Sequence, residues 1–174
     1  MARTPTVYWD SCVWIGLINQ EPDKYPRVLG VLNRARAGKV QIITSTFTLA
    51  EVVKRKCSGV TVEMSDTEDD PFAELLQQEF VTIVNADWDA SVMARSLYRQ
   101  FNGDGLKKPQ DALHLATAVI ENVDEMHTFD GSDLLKLNGK VKRSDGMTLS
   151  IQKPPEPEPE YVQPSLLGDA EPIS

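Results

Sequence analysis

The sequence predicts an α/β protein, a three-layer α/β/α sandwich around a central parallel sheet, and three observations predict it. Short β-prone runs alternate with helical stretches over most of the 174 residues, the pattern of a parallel sheet joined by right-handed crossovers and covered on both faces. The stretch Pro109–Ile120 is apolar at nearly every position from Ala112 onward, so its helix must be enclosed by protein rather than half in water. At Gln152 the composition changes abruptly to alternating proline and glutamate, which sets residues 1–151 as the folded domain and 152–174 as an acidic, Pro-rich tail, extended or disordered.

In chain order, Thr6-Val7-Tyr8-Trp9 is a strand that stops at Asp10, and Asp10-Ser11 are cap residues for a buried helix, 11–18. Residues 24–37 form an amphipathic helix with Val28, Leu29, Val31 and Leu32 inward and Arg27, Arg34 and Arg36 outward, ended by Gly38. Val40–Ile43 is the second strand. A helix from about Phe47 to Lys56 follows, with Leu49, Val52 and Val53 on one side and Glu51 mid-helix. Cys57–Asp70 is acidic and aperiodic, the character of a loop or lid. A helix over 71–80 precedes the third strand, Val81–Val84, and Asp87 or Asp89 caps a helix running to Phe101. Asn102–Gly105 is a loop into the apolar helix, where Pro109 suits the first helical position. Glu125–Phe129 is a fourth strand ending at Asp130, Asp133–Leu137 a short helix, and Val141 and Met147–Ser150 offer small terminal strands.

Several functional classes are excluded. No apolar run approaches the roughly 20 residues of a membrane span, and Met1–Pro5 lacks the apolar core of a secretory signal. Cys12 and Cys57 are too few for a disulfide framework or a cysteine metal cage and read as reduced thiols, so a cytoplasmic location is expected. The net charge of −8 opposes a nucleic-acid partner on its face, but half of it belongs to residues 152–174. The remaining −4 equals the charge of four carboxylates, which binding of divalent metal would account for. No Walker loop, dinucleotide fingerprint or Ser-His-Asp arrangement is present. An aspartyl-nucleophile phosphatase built on Asp10 would want a second acid two residues on, where Cys12 stands.

The carboxylates carry the chemistry. Asp10 ends strand one, Asp130 ends strand four, Glu51 lies in the helix after strand two, and Asp111 opens the helix leading to strand four. In open parallel sheets ligands bind beyond the carboxyl ends of the strands, so all four acids fall on one edge. Their convergence in a partly apolar site is costly unless cations are present. An all-oxygen set favours Mg²⁺ or Mn²⁺ over zinc, and such ions activate water and neutralise a leaving oxygen in phosphodiester cleavage.

Four segments together, Asp10-Ser11-Cys12-Val13-Trp14-Ile15, Thr46 to Glu51 as T-x-x-x-x-E, Pro109-Gln110-Asp111-Ala112-Leu113-His114-Leu115-Ala116-Thr117-Ala118 and Thr128-Phe129-Asp130-Gly131-Ser132-Asp133-Leu134, resemble the PIN domain in order and spacing over residues 6–142. The likeness is to the VapC-type ribonuclease toxins. It implies a Mg²⁺- or Mn²⁺-dependent endoribonuclease, often a homodimer, frequently paired with a small antitoxin protein. By position it implies Asp10, Glu51, Asp111 and Asp130 as the catalytic and metal-binding acids, Asp133 as a further metal ligand, and Ser11 and Thr128 as hydrogen-bonding groups around them. A non-catalytic module of the same fold, or a solitary nuclease acting on structured or DNA substrates, is the alternative.

Lys54, Arg55, Lys107 and Lys108 flank the acidic elements and are candidate phosphate contacts for an RNA substrate. Lys136, Lys140, Lys142 and Arg143 form a second basic cluster, as phosphate contacts or solvated charges. His114, three residues after Asp111, shares that helix face and reads as a packed or surface histidine without a catalytic role. Trp9 and Trp14 read as core.

Overall fold

The structure, a computed structural model, describes residues 3–57 and 60–157. Its centre is strand β1 (Thr6–Trp9), where side chains alternate between two enclosed faces. Tyr8 enters one core, with Leu97, Phe101, Leu115, Met126 and Ile151. Val7 and Trp9 enter the other, with Trp14, Val28, Leu32 and Phe72. Two cores on opposite faces of one sheet make the three layers the alternating pattern predicted. The indole rings of Trp9 and Trp14 meet edge to face at 4.8 Å, so both tryptophans are core.

Around β1, helix α1 (Ser11–Ile18) and helix α2 (Tyr25–Arg36) lead to strand β2 (Gln41–Ser45). Asp10 caps α1 by accepting from the Val13 amide at 3.2 Å, and Gly38, at φ 69°, ends the turn after α2 where a side chain would be strained. Helix α3 (Thr46–Glu51), strands β3 (Lys54–Cys57) and β4 (Val60–Glu63) and helix α4 (Asp66–Leu76) precede strand β5 (Val81–Val84). Helix α5 (Trp88–Phe101), capped by Asp87, packs on helix α6 (Pro109–Ile120), and strands β6 (Glu125–His127) and β7 (Ser150–Gln152) complete the sheet. The strand order is β5-β2-β1-β6-β7, parallel throughout, with Val7 beside Ile42, Tyr8 beside Met126 and Met126 beside Ile151. No helix among the described residues is long and apolar enough to cross a membrane.

Three elements differ from expectation. The helix after β2 stops at Glu51 instead of reaching Lys56, because Lys54–Cys57 pairs antiparallel with the β-branched run Val60-Thr61-Val62. Of the three apolar residues assigned to that helix's inner side, Val52 is buried while Leu49 and Val53 are exposed. The stretch expected as a loop or lid over Cys57–Asp70 contains β4 and the start of α4. The last strand is Ser150–Gln152, and Val141 and Met147 flank a single bridge between Lys142 and Thr148.

Gln152 is therefore the last residue of the sheet, and the chain stays on the body beyond it. Pro154 is buried, the Arg27 guanidinium donates to its carbonyl at 2.9 Å and pairs with Glu156, and Pro157 lies against Gly30 of α2. Residues 158–174, the rest of the expected tail, lie outside the described residues.

Candidate active site

The acids assemble at the carboxyl edge of the sheet, each placed by the end of an element. Asp10, the residue after β1, is 4% exposed. Its Oδ1 accepts from the Val13 amide and, at 2.8 Å, from the Cys12 thiol, and the Thr128 hydroxyl, 3.4 Å from Cys12 Sγ, stands beside it. Burial pushes its carboxyl above the usual range, against these donors and the His114 ring.

Asp130 follows β6 and is pinned by its own turn. Its Oδ1 accepts from the Ser132 amide at 2.9 Å, the Ser132 hydroxyl at 2.6 Å and the Asp133 amide at 3.1 Å. Burial alone would raise this carboxyl, but those three bonds and Lys108 hold it below the ordinary value. Asp133 is buried, and one of its oxygens accepts the Lys107 amide at 3.2 Å.

Asp111 has no such support. It sits in the first turn of α6, begun by Pro109, and its Oδ2 is shielded from solvent with no hydrogen-bond partner among the described residues. Burial, then repulsion from Asp130, Asp133 and Asp10, lifts its carboxyl to about 6 against the pull of Lys108. Asp111, Asp130 and Asp133 each bring an oxygen within 4.8 Å of the others.

Glu51 closes α3 instead of lying mid-helix, and its partners differ. Its Oε2 accepts from the Ser11 hydroxyl and from His114 Nε2 at 2.6 Å. Burial would raise it; the His114 and Ser11 bonds outweigh burial and hold it below the usual value. Lys108 is the cation shared by the site, with Nζ 3.6 Å from Asp111 and 3.8 Å from Asp130, and its charge also acts on Glu51.

This donor set suits a hard divalent cation. Three carboxylates converge, one carries an orphaned oxygen, and the neighbouring acids add negative charge that one lysine does not balance. Of the proposed phosphate contacts, Lys108 reaches the cluster; Lys54 and Lys107 have exposed side chains on β3 and before α6, and the Arg55 side chain lies outside the described residues. The second basic cluster divides: Arg143 is buried, donating to the Val123 carbonyl at 2.9 Å and pairing with Asp145 and Asp124, whereas Lys140 pairs with Asp104 and Lys142 donates to Thr148.

Sequence reasoning missed three side chains that touch the acids, among them Ser132, whose hydroxyl donates to Asp130. Cys12 bonds Asp10, and its place two residues further along a capped helix was the available signal. His114 is packed, as one of the two expectations had it, but its ring bonds Glu51, and its i+3 relation to Asp111 placed it on the right face.

The sequence profile of the PIN domain matches residues 7–139, which include every one of these acids. The chain belongs to the PIN domain family. Solved structures share its fold at low identity. VapC20 of Mycobacterium tuberculosis, a Sarcin-Ricin loop cleaving toxin, superimposes with a TM-score of 0.54 at 18% identity, covering 72% of this chain and 90% of its own. VapBC2 from Rickettsia felis, bound to a DNA fragment from its promoter, gives 0.56 at 16% identity, covering 84% and 98%. FitAcB from Neisseria gonorrhoeae gives 0.54 at 17% identity, covering 85% and 97%. No curated protein sequence matches the chain. The PIN domain match ends at Gly139, whereas the sheet continues to β7, whose Ile151 belongs to the core.

Proposed function

We propose that this PIN domain is a metal-dependent endoribonuclease of the toxin type, hydrolysing RNA phosphodiester bonds in the cytoplasm and held in check by a small antitoxin protein. The observation that carries the reading is the solvent-shielded, unpartnered oxygen of Asp111 beside the carboxylates of Asp130 and Asp133. Asp10, Asp111, Asp130 and Asp133, with Glu51 at the margin, would hold Mg²⁺ or Mn²⁺. When bound, such an ion activates water and neutralises charge on the leaving oxygen.

The chain's own residues do the rest. The turn at Asp130 fixes one oxygen through three donors, leaving Oδ2 toward Lys108. Cys12 and the Val13 amide hold Asp10, while Ser11 and His114 hold Glu51, so the carboxylates keep their places before substrate arrives. Lys108, with Lys107 next to it in the chain and Lys54 and Arg55 of β3 as further cations, would meet the phosphate backbone. The exposed Trp88 and Val92 of α5 offer an apolar face for a homodimer.

The test is cleavage of a loop-containing RNA by the full chain with Mg²⁺ or Mn²⁺, with chelator, and with Asp10→Asn and Asp111→Asn. Loss of cleavage with chelator and in both variants is expected. Cleavage by both at the wild-type rate would overturn the assignment.

A further inference from the structure

One buried group lies beyond the carboxylate cluster and is joined to it through a single acid. His114 is 2% exposed, on α6, and its ring reaches between α3 and β1. Its Nε2 lies 2.6 Å from Glu51 Oε2 and 3.1 Å from the Ser11 hydroxyl, and its Nδ1 lies 2.7 Å from the Tyr8 hydroxyl. The rings of Phe47, at 5.5 Å, and Tyr8, at 5.8 Å, hold it laterally.

The proton positions are set by what each partner can give. Tyr8 is enclosed and its phenol is held protonated by burial, so it has a hydrogen to donate. A carboxylate has none, so the nitrogen facing Glu51 must carry one. A neutral ring then has Nε2–H toward Glu51 and a bare Nδ1 accepting from Tyr8. The opposite tautomer would set a lone pair against a carboxylate oxygen at 2.6 Å and two hydrogens between Tyr8 and Nδ1 unless the phenol turned away.

We propose that His114 is a positioning residue for Glu51, with its Nε2–H tautomer selected by Tyr8 and its hydrogen bond fixing the direction in which the Glu51 carboxylate faces the acid cluster. Glu51 needs this. It ends a six-residue helix, carries three rotatable side-chain bonds and is half-buried, so without a rigid donor several rotamers compete. A ring held on both nitrogens and packed beside Phe47 supplies what the Ser11 hydroxyl, free to rotate, does not.

The inference rests on the nuclease reading for its catalytic consequence, and the tests separate the two. Ring ¹⁵N shifts of His114 in the full chain, read by long-range proton–nitrogen correlation, are expected to show Nε2 protonated and Nδ1 bare. Tyr8→Phe is expected to weaken that preference. A wild-type ring protonated on Nδ1 overturns the proposal whether or not RNA is cut. In single-turnover cleavage, His114→Leu is expected to lower the rate about 10–100-fold with little change in KM, the range for outer partners of ligating groups, and His114→Gln, which keeps a side-chain N–H, to recover at least part of it. In a Glu51→Gln background His114→Leu should add no further loss. An equal loss in both backgrounds, or no recovery by His114→Gln in a folded protein, would mean that His114 only fills space.

Discussion

The ammonium of Lys108 lies 3.6 Å from Asp111 Oδ2, the one carboxylate oxygen among the described residues that is buried and without a hydrogen bond. It is also 3.8 Å from Asp130, and the Asp111 charge raises the lysine's own proton affinity. Lys108 is thus the countercharge that the cluster holds in the absence of a divalent ion. Its side chain is 59% exposed, so its contribution to stability is small, up to about 1 kcal/mol. Lys108→Ala is expected to lower the midpoint of thermal unfolding slightly in chelator and to tighten Mn²⁺ binding several-fold by calorimetry, since a competing cation is removed. Weaker Mn²⁺ binding would mean that the lysine supports the site instead of competing for it.

Asp111 sets a pH dependence with a definite sign. Its carboxyl titrates at about 6 in the fold against an ordinary 3.8, so between those values the folded chain binds more proton than the unfolded one. Stability drawn from this group is complete below pH 3.8 and gone above about pH 6. At pH 7.5 the charged, repelled carboxylate is a cost of on the order of 1 kcal/mol after discounting for solvent screening at a half-open site. Asp111→Asn is therefore expected to raise the thermal midpoint of the ion-free protein at pH 7.5, to do so much less at pH 4, and to abolish cleavage. Destabilisation at pH 7.5 would show that the carboxylate has a stabilising partner.

How much of this was legible in the sequence depends on how local each cause is. Strands β1, β5 and β6 and the caps at Asp10 and Asp87 are written in neighbouring residues, and the rule that ligands gather at the carboxyl edge then collects Asp10, Asp111 and Asp130. The hairpin of β3 and β4 was hidden because Lys54-Arg55-Lys56 reads equally as the wet face of a helix, and only its partner strand decides the matter. Placing Glu51 mid-helix came from that error. His114 was undervalued because its partners lie 63 and 106 positions upstream, where no periodicity points.

Arg143 looked like part of a basic patch and is a structural strut. It is buried, and its guanidinium joins the Val123 carbonyl, Asp145 and Asp124, tying the turn after α6 to the segment before β7. Arg143→Ala strands these acceptors and is expected to cost about 1–3 kcal/mol in denaturant unfolding while leaving the KM for RNA unchanged. A rise in KM without loss of stability would return Arg143 to the substrate surface.

Cys12 donates to Asp10 at 2.8 Å and accepts from the Phe129 amide at 3.0 Å. Burial and the neighbouring Asp10 charge push its thiol well above the ordinary range, so the nucleophilic thiolate is scarce. In a Cys57→Ser background the folded protein is expected to resist a disulfide reagent at pH 8 and to react on unfolding. Cys12→Ala leaves both partners short and is expected to cost about 1–3 kcal/mol, with Cys12→Ser retaining more of the stability. Rapid labelling of the folded protein would contradict the geometry.

The first residues beyond the sheet belong to its packing, and truncation separates their contribution from that of residues 158–174. Pro154 is buried, its carbonyl and Glu156 engage Arg27, and Pro157 lies over Gly30, close enough that a Cβ there would meet it at ordinary contact distance. The apolar contact and one charge-assisted bond together are worth about 1–3 kcal/mol. A chain ending at Pro157 is expected to exceed one ending at Lys153 in stability by that amount in urea. Arg27→Ala should remove most of the difference, because the guanidinium makes both polar contacts, whereas Arg34→Ala, which makes neither, should leave it. If the two truncations unfold together, the segment 154–157 rests on α2 without holding it, and the sheet is complete at Gln152.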